Sequence, residues 1–415
     1  MSSKDTRFLD FDTIRADLGL GTELDSFRDG WEESQRARQT DGAGFLTPPT
    51  VEEACRFLQM EPALAHAFNE ALPLIAGNDA LLCLAWHCHW LLFASAPEKK
   101  ASLGAVPELP ESLGPARDWL YAFVYLAGVP HVRELHRARG VDESVTVETL
   151  GDLALWMREY RTRFGRWGFG QAGWLTRHVS GRLYQLGRLQ FETTCFPLDF
   201  HVFQNREDGE IVALTGDGLR FRHDGQFDGT NGVFDEAHAW TSFFHEDESE
   251  VRGNLVTIDG RAVHHAVDLP LDEWDCALRK GDPVLSVHIP ATGPLDHAAC
   301  VASYRRAMAF FPAHVPEHPF KGFYCNSWLL DCQLGEHLPE SANIVRFLRD
   351  WYVLPAPNAS SAQTIERVFG WDVTDPFEQP ADTTLRRIVI EHMKHGERWR
   401  NAAGVIMPVD LQKIR

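Results

Sequence analysis

Apolar residues recur every three or four positions through the first part of the chain, which is the spacing of one helix face. The pattern predicts helices over residues 8–20, 50–59, 62–74, 79–94, 114–127, 131–139 and 147–164. Thr50 and Glu53 have the spacing of a capping box at the start of the second of these helices. Four prolines between residues 94 and 115 predict a long loop. We therefore expect residues 1–165 to form an all-helical domain.

Beyond residue 188 the period shortens toward two, which is the repeat of a half-buried strand. Asp-Gly pairs predict tight turns between alternating runs at 201–204, 210–214, 218–222, 254–258 and 262–267. A strand over 283–289, a helix over 295–311 and a strand over 320–328 follow. Antiparallel strands followed by strand–helix–strand predict a mixed α/β domain over 166–415 with a mostly antiparallel sheet. The expected fold class of the whole chain is α+β.

Composition narrows the function classes. The 40 Lys and Arg residues against 59 Asp and Glu residues give a net charge of −19, which disfavours binding to nucleic acid or to an anionic membrane. The first residues contain no apolar signal-peptide segment, and the longest apolar run, 80–94, is too short to span a bilayer. The eight cysteines form no C-x-x-C pair, as is typical of free thiols in a reducing compartment. We therefore expect a cytoplasmic protein without disulfides.

Two histidine-containing motifs are candidates for metal binding. The rings of the segment 87–89 (His-Cys-His) would point about 200° apart on a helix, so we expect core residues there. His245 and Asp247 have the H-x-D spacing of a mononuclear iron site, which His314 or His318 would complete. The alternative for this pair is a solvated acidic loop. We expect no metal cofactor and keep an iron oxygenase as the alternative.

Residues 156–190 contain seven arginines and one acidic residue, with aromatic residues interleaved. Arginine suits bidentate phosphate recognition, and aromatic faces can stack on an adenine. Arg177 and Arg182 are therefore candidate ligands for an anionic cofactor. Ion pairing with the acidic remainder of the chain is the alternative.

The segment after residue 282 predicts an anion site. Ser286 and His288 share the polar face of the strand over 283–289. Gly293 is the expected N-cap of the following helix, with Pro294 at its first position. A short glycine loop that leads into a helix N-terminus presents free N–H groups, which can bind a pyrophosphate.

Four segments of the chain resemble the bacterial acyltransferase-domain proteins, which combine a helical N-acyltransferase N-terminal domain with a GNAT-like C-terminal domain. These segments are PVLSVHIPATGPL at 283–295, SYRRAMAFF at 303–311, CNSWLLD at 325–331 and NIVRF at 343–347. The resemblance implies a sheet with two central strands, 283–290 and 320–328, that splay apart around the pantetheine of acetyl-CoA or another acyl-CoA. It also implies that Ala291, Thr292 and Gly293 bind the CoA pyrophosphate. The chain departs from the usual Q/R-x-x-G-x-G/A signature, because no Gln or Arg begins this loop.

The resemblance implies transfer of an acyl group from acyl-CoA to an amine of a small molecule. His288 is the expected general base, because the ordinary pKa of an imidazole lies near ~6.5. Ser327, Tyr324 or Cys325 is the expected proton donor to the leaving thiolate. A non-catalytic small-molecule-binding protein on the same fold is the second hypothesis.

Overall fold

A computed structural model describes residues 10–41, 44–93, 109–412 and 414. These residues form two compact units, which divide between Leu186 and Gly187. The division lies C-terminal to the 165/166 boundary expected from the sequence, because helix Ala172–Val179 packs with the preceding helices. Most of the loop expected over 94–115 lies outside the described residues.

The first unit is helical, as the spacing of its apolar residues predicts. Its helices are α1 (Phe11–Asp17), α2 (Trp31–Asp41), α3 (Pro48–Phe57), α4 (Pro62–Ala76), α5 (Asp79–Phe93), α6 (Pro115–Ala127), α7 (Val129–Ala138), α8 (Glu143–Leu150), α9 (Asp152–Phe164) and α10 (Ala172–Val179). A short strand, β1 (Leu183–Leu186), ends the unit, and the Gln185 amide donates to Thr149 Oγ1 at 3.0 Å.

Two local predictions in this unit are wrong. The capping box of α3 consists of Thr47 and Thr50 rather than Thr50 and Glu53, because Pro48 and Pro49 at the first helical turn move its start toward the N-terminus. The single helix predicted over 147–164 is two helices, α8 and α9, which meet at Gly151. The apolar pattern continues through the break, so periodicity alone does not locate it.

Helix α5 forms the centre of the first unit. Residues from Ala80 to Leu91 are buried, with one partly exposed exception, Leu82. Neither α5 nor any other single helix among the described residues has the length and apolar character to cross a membrane, and the α4–α5 pair that passes such a test together is bent by 109°. The two histidines of α5 are core residues, as expected.

The second unit contains strands from two larger sheets and helices that cover one of them. Its strands are β2 (Leu189–Cys195), β3 (Phe200–Asn205), β4 (Ile211–Thr215), β5 (Arg220–Phe221), β6 (Trp240–Thr241), β7 (Phe244–Glu246), β8 (Glu250–Thr257), β9 (Arg261–Pro270), β10 (Trp274–Leu278), β11 (Pro283–His288), β12 (Phe323–Ser327), β13 (Tyr352–Leu354) and β14 (Ala402–Ile406). Its helices are α11 (His297–His314), α12 (Leu334–His337), α13 (Asn343–Arg349), α14 (Ala362–Phe369) and α15 (Thr384–Lys394).

One sheet of this unit has the strand order β2-β11-β12-β14-β13, in which β11 and β12 are parallel and the other neighbours are antiparallel. The other sheet is the expected antiparallel one, with the order β10-β3-β4-β8-β7 and β9 paired with β8. Val284, Tyr324 and Val405 of the first sheet share a core with Phe200 and Val256 of the second. The opposite face of the first sheet packs its phenylalanines on α11. The α+β fold class is therefore confirmed.

Burial of α5 predicts acid sensitivity of the first unit. Desolvation lowers the pKa of His89 to about 3, below the ordinary value of 6.5. Below pH 6.5 the unfolded chain therefore binds a proton that the folded chain does not, and the free energy of unfolding falls by about 1.4 kcal/mol per pH unit for this group. Because aromatic rings surround His89, we expect His89→Phe to reduce this slope between pH 6.5 and 4.

Urea unfolding at several pH values, followed by tryptophan fluorescence, measures this slope. His66, whose side chain is 73% exposed, provides the control, and His66→Gln should leave the slope unchanged. If the free energy of unfolding falls equally per pH unit in His89→Phe and in the unsubstituted protein between pH 6.5 and 4, the prediction is contradicted.

Candidate functional site

The parallel strands β11 and β12 separate after a short ladder. Leu285 pairs with Phe323 and Ser286 with Tyr324, and no further pair joins the two strands. Past this point β11 remains paired with β2 as far as His288, which lies opposite Gln190. Strand β12 remains paired with β14. The carboxyl-terminal halves of the two strands are therefore not joined by ladder pairs, and this unpaired stretch is called the opening between β11 and β12 below.

A histidine–glutamate pair lies beside this opening. His288 Nε2 is 3.1 Å from Glu192 Oε2, and both side chains are mostly buried. Glu192 lies opposite Ser286 in the β2–β11 ladder, so it shares the face of the sheet on which His288 lies. A carboxylate at this distance stabilises the imidazole ring when the ring is protonated. The arrangement is suited to accepting a proton.

Sequence reasoning missed Glu192. The signal for it is the alternation at the start of 189–195, where the buried apolar residues Leu189 and Phe191 are each followed by a polar residue, Gln190 and Glu192. The alternation places Glu192 on a polar face, but only the ladder register brings it next to His288.

Tyr324 lies on the same face of the sheet as His288, since it is paired with Ser286. Its ring packs edge-on against Phe196 at a centroid distance of 5.7 Å. Burial raises the pKa of Tyr324 to about 12, and a hydrogen bond with Asn326 opposes part of that shift. The phenol is thus protonated at neutral pH and can act as a proton donor.

Cys325 and Ser327 lie on the opposite face of β12, because side chains alternate along a strand. Their neighbour on that face, Phe323, contacts Tyr304 of α11. Burial raises the pKa of Cys325 to about 12. Ser327 Oγ accepts from the Leu329 amide at 3.2 Å and caps a short 3₁₀ turn. The structure thus groups Tyr324 with His288 and places the other two predicted donors elsewhere.

The loop after β11 differs from its prediction at the helix start. Asp296, not Gly293, is the N-cap of α11, and its carboxylate accepts from the Ala299 amide at 2.8 Å. An aspartate is a stronger cap than a glycine followed by proline, because its side chain satisfies an amide of the first turn. Residues 291–293 are exposed and precede the helix by several positions. The backbone amides of this loop are therefore separate from those at the N-terminus of α11.

The two predicted arginine ligands belong to the first unit. Arg177 lies on α10 with its guanidinium 4.8 Å from the centroid of the Trp174 ring. Arg182 follows the helix, is exposed, and donates from Nε to Ser180 Oγ at 3.3 Å. Elsewhere in the basic segment, Arg166 pairs with Asp118 at 2.8 Å within the same unit.

The H-x-D pair has a local structural role. Asp247 accepts hydrogen bonds from Ser249 and from the Glu250 amide, and these bonds lower the pKa of its carboxyl. Within the described ranges, no three His, Cys, Asp or Glu side chains are grouped so that they could hold a metal ion. These contacts favour the turn interpretation of the motif over an iron site.

A second histidine–carboxylate pair lines a cavity of about 870 Å³ in the second unit. His297 Nε2 is 3.0 Å from Asp350 Oδ1, and burial raises the pKa of Asp350. Arg346 and Arg349 lie in the same lining. None of the lining residues belongs to the polar face beside the β11–β12 opening, so this pair is a separate candidate for a base.

The burial of Cys325 predicts low thiol reactivity. Its side chain is about 1% exposed, and its raised pKa leaves little thiolate at pH 7.5. Under native conditions we expect iodoacetamide to modify the exposed Cys195 and to spare Cys325, as measured by mass spectrometry of tryptic peptides. Equal modification of the two cysteines would contradict this placement.

Comparisons with solved structures find acyltransferases of similar fold. An acyltransferase variant in complex with octanoyl-CoA matches with a TM-score of 0.64 and 24% identity, over 96% of this chain and 99% of that one. An acyltransferase in complex with decanoyl-CoA and teicoplanin matches with a TM-score of 0.63 and 24% identity, over the same shares. At this identity the likeness establishes the fold. No curated protein matches the chain.

Family models cover both units. The model of the N-acyltransferase N-terminal domain matches residues 49–181, and that of the GNAT-like C-terminal domain matches residues 183–406. The second match alone spans more than half of the chain. The chain therefore belongs to the acyltransferase family that joins an N-acyltransferase N-terminal domain to a GNAT-like C-terminal domain.

Proposed function

We propose that this protein is an acyl-CoA-dependent N-acyltransferase that transfers an acyl group to an amine of a small molecule. The observation that carries the proposal is the opening between β11 and β12, with His288 and Glu192 on one side of it. The similar structures with octanoyl-CoA and decanoyl-CoA support acyl-CoA as the donor. Membership of the GNAT-like family supports the reaction class.

In the proposed reaction the amine nitrogen attacks the thioester carbonyl carbon. A C–N bond forms, the C–S bond breaks, and the amine proton passes to His288. Glu192 holds the imidazole and stabilises the imidazolium that forms. Tyr324 donates its phenolic proton to the departing thiolate of CoA and is reprotonated from solvent, to which His288 returns the proton that it took from the amine. Cys325 and Ser327 take no part, because they lie on the other face of β12.

The proposed binding mode places the pantetheine in the opening and the pyrophosphate at Ala291, Thr292 and Gly293. The exposure of this loop supports that role. Arg177 and Arg182, both in the first unit, remain proposed ligands of the anionic cofactor. The acceptor is a small molecule, which the teicoplanin complexes of similar structures support.

The first experiment tests the base. His288→Gln keeps a polar side chain but removes the imidazole that accepts the amine proton, so we expect kcat to fall about a hundredfold or more. His297→Gln, in the other histidine–carboxylate pair, is the matched control and should retain activity. Steady-state release of free thiol from decanoyl-CoA, with a panel of amines as acceptors, measures both.

Two outcomes would contradict the assignment. Unchanged kcat in His288→Gln removes His288 as the base. Loss of transfer in His297→Gln alone would assign the base to the cavity with Asp350.

The second experiment tests the acid. Tyr324→Phe retains the ring that packs on Phe196 and removes the proton donor. We expect kcat to fall about tenfold or more, with little change in KM for acyl-CoA. Because the pKa of Tyr324 is raised to about 12, the original chain should show no loss of this donor up to pH 10. A Tyr324→Phe variant with full kcat would show that another group or water protonates the thiolate.

A further inference from the structure

Arg188 binds the backbone of a single loop with three of its nitrogens. Its Nε donates to the Pro294 carbonyl at 2.8 Å, Nη1 to the Pro290 carbonyl at 2.9 Å and Nη2 to the Gly293 carbonyl at 2.9 Å. The Arg188 amide donates to Ser303 Oγ of α11, also at 2.9 Å. One residue thus ties the start of β2 to the loop that follows β11.

These bonds set the direction of the loop amides. The described peptides are all trans, so the N–H of Ala291 points opposite to the Pro290 carbonyl and the N–H of Leu295 opposite to the Pro294 carbonyl. Because the guanidinium gathers the carbonyls, both N–H groups point away from it. Within the part of the chain that the structure describes, the amides of Ala291 and Leu295 donate to no protein acceptor.

The neighbouring helix end competes poorly for an anion. Asp296 already satisfies an amide of the first turn of α11, and its carboxylate repels a phosphate. Arg188 itself is half-buried, and burial lowers its pKa without removing its charge. The loop amides and the positive charge behind them are therefore the anion-binding elements in this part of the unit.

We propose that Arg188 is a positioning residue for the pyrophosphate of acyl-CoA, which holds the loop after β11 so that the Ala291 and Leu295 amides are directed toward the ligand. Arg188 does not touch the nucleotide. The inference rests on the proposed function, and in it Arg188 acts through its hydrogen bonds to the loop carbonyls. Arg188, in the turn before β2, thus provides an arginine that the loop itself lacks at its start.

The test compares two acyl donors. Arg188→Lys keeps the charge but replaces the planar guanidinium with a single ammonium, which cannot bind all three carbonyls in the same geometry. The dissociation constant for CoA, measured by calorimetry, should therefore rise about tenfold. KM for decanoyl-CoA should rise similarly while kcat changes little. Kinetics with decanoyl-pantetheine, which lacks the pyrophosphate, should be unchanged. Arg305→Lys, which alters an arginine with one carbonyl contact at 3.3 Å, should behave like the original chain.

A second variant perturbs the loop from its other side. Gly293 has a φ of +151° and open space where a Cβ would lie, so Gly293→Ala strains only the loop backbone. In this variant KM for decanoyl-CoA should rise by a similar factor, and the kinetics with decanoyl-pantetheine should again be unchanged. It also keeps the inference testable if Arg188→Lys does not fold.

The contrary outcomes separate the inference from the proposed function. CoA affinity in Arg188→Lys equal to that of the original chain overturns the role of Arg188 and leaves acyl transfer in place. Equal losses with both acyl donors show a general structural role and also overturn it. An original chain that neither binds CoA nor uses decanoyl-CoA overturns the proposed function, and the inference with it.

Discussion

Backbone hydrogen bonding between β11 and β12 ends after two residue pairs, and the rest of the candidate site depends on that short ladder. A buried strand cannot lose its partners cheaply, because unpaired N–H and C=O groups are costly away from water. Here β2 pairs with β11 along its whole length, and β14 does the same for β12. The outer ladders therefore hold the two strands in place while their inner edges separate.

The alternation of side chains along β12 places the residues of the motif on two different faces of the sheet. Tyr324 lies on the face that carries His288 and Glu192, while Cys325 and Ser327 lie on the face that α11 covers. One residue along a strand is the difference between a phenol on the face of His288 and a thiol in the core. The same rule accounts for Glu192, which the ladder register brings to 3.1 Å from His288.

The helix after β11 begins at a different residue than its sequence indicates. The glycine and proline of the preceding loop have the order of a helix start, but Asp296 caps the helix and moves the start three residues on. The loop amides that remain are oriented by Arg188, a residue more than 100 positions earlier in the chain. Such a contact has no signal in the spacing of the loop residues.

The sequence by itself determined the helical first part, the change to strands and the α+β class, because apolar periodicity reports which face of each element is buried. Segments at 283–295 and 325–331 also sufficed to indicate the acyltransferase family. Only the tertiary structure decided which side chains meet. Strand register paired His288 with Glu192, and sheet order brought Arg188 to the loop carbonyls. Both are contacts between residues far apart in the chain, and local spacing carries no information about the register or order in which strands join.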